Sequence, residues 1–76
     1  MITKAEVISL ITKKLPNSQV FVENLKGNDH LQVNVIASEF IGLSLDKQHQ
    51  QIYSALKEEL ASEAIHALAL KTETPN

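Results

Sequence analysis

The residues with the widest chemical reach in this 76-residue chain are its three histidines, His30, His49 and His66, because it contains no cysteine at all. Imidazole ligates metals in its neutral form and exchanges protons near neutral pH. His66 stands near the start of "AIHALALKT", residues 64–72, an apolar stretch that otherwise reads as a strand. His30 stands where the turn signal "KGND" meets the alternating "HLQVNVIAS". No local spacing such as His-x-x-x-His joins the two, so from the residues alone His30 reads as an exposed loop histidine and His66 as a ring at the edge of the core or past the strand end, with metal ligation by the two the lesser reading. Two imidazoles alone make an incomplete site. Zinc takes four ligands, and iron–sulfur clusters are held mainly by thiolates. If His30 and His66 bind a metal, the remaining ligands must come from another molecule. His49 falls within a helical apolar stripe and reads as a half-buried helix residue with a hydrogen-bonded ring nitrogen.

Other chemistries find no support. The serines are cap-like or exposed, and none lies in a Gly-x-Ser-x-Gly turn. The two glycines, Gly27 and Gly42, are too far apart to form a phosphate-cradling loop. Glu58 and Glu59 are adjacent on a helix, so their side chains diverge and form no acid/base pair. The chain therefore shows no enzyme signature. All seven basic residues are lysine, against nine acidic residues, for a net charge of −2. Arginine makes the commonest specific base contact and binds phosphate in bidentate fashion, so a slightly acidic chain without it is a poor nucleic-acid binder. No apolar run is long enough to span a membrane. No signal peptide is read at the N-terminus, and with no disulfide the expected location is a reducing cytoplasm.

The elements that must position the histidines follow from pattern. The length and the 43% apolar content suit a single folded domain over 1–76 with a small core. Thr3 and Glu6 match a capping box. Val7, Leu10, Ile11 and Leu15 then form a helical stripe that Pro16 ends near Lys14. "QVFVENL", 19–25, and "HLQVNVIAS", 30–38, read as a hairpin about the turn at 26–29, with Leu31, Val33, Val35 and Ala37 on the covered face. Gly42 supplies a bend and Ser44 caps a second helix. Its stripe is Leu45, His49, Ile52, Tyr53, Leu56 and Leu60, about 16 residues at the 3.6-residue period. "IHALALKTET", 65–74, is the third strand, with His66 on the face of Leu68 and Leu70. The order is αββαβ. A right-handed crossover makes strands two and three parallel if they are neighbours. The expected fold is α+β, a two-layer sandwich with a three-stranded mixed sheet, two helices on one face and the other face open.

Three segments resemble the BolA family: Phe40, Gly42 and Ser44 in an F-x-G-x-S pattern, "HQQIYSALKEEL" from His49 to Leu60, and "IHALALKTETP" from Ile65 to Pro75. The resemblance runs over roughly residues 3–75. It implies an αββαβ fold similar to class II KH domains. It also implies a non-enzymatic adaptor that pairs with a monothiol glutaredoxin and shares a [2Fe–2S] cluster, acting in cluster trafficking or in iron, redox or stress regulation. The partner's cysteine and a glutathione thiol would hold one iron. His66, with a second ligand from the region between strands one and two, here His30, would hold the other. No cofactor is expected on the isolated chain. Histidine in place of thiolate raises the potential, and imidazole ligands make binding pH-sensitive. His49, Lys71 and Thr72 are the expected partner contacts. The short hairpin loop, with His30 at its very end, departs from the family pattern. So does Gln48-His49-Gln50, where many members carry Arg-His-Arg, which weakens the alternative of a KH-like nucleic-acid-binding transcriptional regulator. Family members that extend past the Thr-Pro add a helix; none is expected after Asn76. A homodimer through the open sheet face or edge is a third possibility.

Overall fold

The computed structural model describes residues 2–26 and 30–75. The order is α1 (Lys4–Lys14), β1 (Ser18–Lys26), β2 (His30–Ala37), a 3-10 turn (Ser38–Phe40), α2 (Leu45–Ala55), α3 (Lys57–Ala61) and β3 (Ala67–Glu73). The sheet order is β1-β2-β3, with β1 antiparallel and β3 parallel to β2. The α+β, three-stranded mixed sheet read from the pattern is the one observed. The hairpin turn at Gly27, Asn28 and Asp29 lies outside the described residues.

α1 begins where the capping box requires. Thr3 Oγ1 accepts from the Glu6 N–H at 3.1 Å, and Glu6 Oε1 accepts from the Thr3 N–H at 3.0 Å. That second bond holds the Glu6 carboxyl below its ordinary range. A lowered folded-state pKa contributes stability above the unfolded pKa, and this is lost as pH falls through the folded value. Thr3→Ala should cost about 1 kcal/mol, a drop in Tm of roughly 4–8 °C for a domain of this size. Thermal unfolding at neutral pH checks it.

The core lies between the helices and one sheet face. β2 alternates strictly, with Leu31, Val33, Val35 and Ala37 buried and the residues between them half-buried. Val7 and Ile11 of α1, Ile52 of α2, Leu56, Phe40 and Ile65 close over them. On the other face, Phe21 pairs with Asn34, Ile36 with Gln19 and Glu73, and Gln32 with Ala69, so the open side mixes polar, small and large apolar residues.

Two expectations are corrected. The single 16-residue second helix is two: it breaks at Leu56, whose φ of −108° and ψ of 18° are not helical, and resumes as α3. Leu56 itself is fully buried, as the stripe predicts. The stripe on α2 is also displaced. Leu45 and Tyr53 are 59% and 44% exposed, and Gln48 takes an inward position instead. Polar capture decided this: Gln48 Nε2 donates to the Leu43 carbonyl at 3.0 Å, and its Oε1 accepts from Thr72 Oγ1 at 2.8 Å. Gly42 has φ of +86°, the left-handed bend expected before the Ser44 cap.

Candidate metal-ligand pair

His30 opens β2 and faces Ala67, the first residue of β3, across the parallel ladder. Residues paired in one row share a face, so His30 lies on the open side with Gln32, Asn34 and Ala67. A strand continued back from Leu68 would put His66 on the opposite side, with Leu68 and Leu70. Instead β3 starts at Ala67, and residues 64–66 form a bend. The expectation that His66 shares the face of Leu68 and Leu70 within the strand is therefore corrected. Its ring is exposed and meets that of His30, with centroids 5.3 Å apart and planes tilted by 48°.

Two imidazoles bound through nitrogen to one tetrahedral ion, at about 2.0–2.1 Å each, put their ring centres roughly 5 Å apart. The observed separation fits that arrangement. Among the described residues no group of three or more histidines, cysteines, aspartates or glutamates is gathered to hold a metal ion. The pair could therefore supply at most two nitrogens to a metal centre.

The other singled-out residues lie apart in role. His49 is half-buried on α2 and packs edge-on against Tyr53 at 6.4 Å. Lys71 is exposed and pairs loosely with Glu73 at 3.6 Å, a contact worth little in water. Thr72 is only 8% exposed, and its hydroxyl donates to Gln48 Oε1, so its side chain ties β3 to α2. Sequence reasoning missed this bond because glutamine in a helix carries no burial signal. Thr72→Val keeps the shape and removes the donor. It should cost about 1 kcal/mol, read as a lower urea midpoint. α2 and α3 present Asp46, Lys47, Lys57, Glu58 and Glu59 in mixed order, which makes no basic stripe. No described helix is long and apolar enough to cross a membrane.

This architecture, a hairpin plus a parallel third strand with the helices on one face, defines a class of small α+β proteins. The profile of the BolA-like protein family matches residues 10–76, and the chain belongs to that family. A BolA homologue from Coxiella burnetii superposes with a TM-score of 0.82 at 33% identity, over 99% of this chain and 94% of that one. The BolA domain of SufE1 from Arabidopsis thaliana gives 0.83 at 27% identity, over 99% and 96%. The acid stress protein IbaG of Escherichia coli K12 is 33% identical over 92% of this chain and 81% of its own length.

Proposed function

We propose that this chain is a non-enzymatic adaptor that lends His66 and His30 to a [2Fe–2S] cluster completed by a monothiol glutaredoxin and glutathione. The observation behind the reading is the 5.3 Å approach of the two imidazoles in a cysteine-free chain. Two imidazoles leave a metal centre short of ligands, so the rest would come from a partner, and the BolA resemblance makes that partner a thiol-bearing glutaredoxin. When bound, the cluster would supply one-electron redox chemistry and transferable iron and sulfide. The chain's own contribution is to present two nitrogens, to hold them by the fold of β2 and the bend before β3, and to discriminate by shape. Membership of the BolA-like family supports the reading, and the acid-stress name of the E. coli relative agrees with a stress-linked role.

Titration of the chain into a cluster-loaded monothiol glutaredoxin tests this. A one-to-one complex with new visible circular dichroism bands is the expected result. A complex with no spectral change would leave an adaptor that does not ligate, and no complex would sink the proposal.

A further inference from the structure

Glu63 is the one non-glycine residue with positive φ, 62°, among the described residues. A residue with a Cβ in this conformation is strained, and glycine or asparagine takes the position at lower cost. Glu63 follows the last turn of α3, whose C-cap is Ser62. The turn there is densely bonded. The Ser62 N–H donates to the Glu58 carbonyl at 2.9 Å, Glu63 N–H to Leu60 at 3.3 Å, and Ile65 N–H to Glu59 at 3.1 Å. Ile65 is then 1% exposed in the core, while the next residue, His66, is exposed. Two residues beyond the strained position, the chain has one side chain anchored inside and the next outside, before the β3 ladder has begun.

This geometry solves the alternation problem. In an extended lead-in to β3, His66 would fall on the core side, opposite His30. It reaches His30 because the chain enters β3 through a left-handed reversal. We propose that Glu63 is a positioning residue for His66, its left-handed backbone setting the bend that brings the His66 ring against His30. Its carboxylate plays no part; the φ angle does the positioning. The relevance to cluster binding rests on the function proposed above, whereas the ring placement is a property of the chain alone.

Replacements at Glu63 should therefore sort by tolerance of positive φ and not by charge or size. In the free chain, the nuclear Overhauser contact between the His30 and His66 rings, normalised to a core contact of the Phe40 ring, reads placement in the folded molecules only. Glu63→Gly and Glu63→Asn should keep it, with Glu63→Gly raising Tm by several degrees. Glu63→Gln should behave as the parent. Glu63→Val should lower Tm and lose most of the ring contact, and it should weaken by several-fold the visible circular dichroism change with cluster-loaded glutaredoxin. Thr3→Ala, destabilised at the far end of the chain, should keep the ring contact. Retention of that contact in Glu63→Val, or its loss in Glu63→Gln or Glu63→Asn, would overturn the proposal. If the parent chain shows the ring contact but no cluster signal, the proposed function fails while the positioning role stands.

Discussion

His66→Ala is expected to remove the change in visible circular dichroism that the chain produces on a cluster-loaded monothiol glutaredoxin, without unfolding the chain. His66 is exposed and lies outside the strand ladder, so its loss should cost within about 0.5 kcal/mol of stability. Its loss as a ligand is another matter. Under the proposed function, only His30 would remain to hold that end of the cluster. Removing even an outer-shell partner of a ligand typically costs about 10–100-fold in metal affinity, so loss of the ligand should weaken the cluster-bearing complex by at least about tenfold. His66→Cys is the informative companion. It supplies a thiolate, so the cluster should persist with altered bands and a lower potential, since imidazole ligation raises it. His49→Ala should keep the cluster bands at saturating partner, because His49 packs on Tyr53 of α2 apart from the pair, and any effect of the expected partner contact should show as a change in affinity. A His66→Ala chain whose mixture with the partner matches the parent's spectrum would remove His66 from the ligand set.

The second large effect is on the fold. Phe40 is fully buried and heads the list of large interior side chains, held by the 3-10 turn that follows β2. Phe40→Ala removes a ring and leaves a cavity, which costs about 3–5 kcal/mol. At roughly 0.05–0.15 kcal/mol per residue, the whole domain has only about 4–11 kcal/mol of stability. Phe40→Ala should therefore leave a substantial unfolded fraction at 25 °C, or lower the urea midpoint by about 2 M or more. Its neighbour Ile41, 65% exposed, is the control: Ile41→Ala should change stability by less than about 0.5 kcal/mol. Equal effects at the two positions would contradict the observed core.

Much of this molecule follows from sequence, because its strongest signals are local. The capping box at Thr3 and Glu6, the stop at Pro16, the alternation through β2 and the Ser44 cap each depend on neighbours a few residues apart. The structure has them where the pattern puts them. Parallel pairing of β2 and β3 also follows, from the handedness of a βαβ crossover. The cysteine-free composition already requires that any cluster be completed in trans.

What the sequence could not determine depends on contacts between distant segments. Periodicity placed Leu45 and Tyr53 inward, whereas the bond between Gln48 and Thr72, 24 residues apart, rotates α2 to bring Gln48 in. Periodicity ran one helix through Leu56, whereas the helix breaks there and resumes as α3. Strand alternation put His66 on the face of Leu68 and Leu70. A positive φ at a glutamate, which no propensity would suggest, lets the chain enter β3 through a bend, and the two imidazoles meet. Local rules set which elements form, while the pairing of the histidines was decided only when β2, α3 and β3 closed around one core.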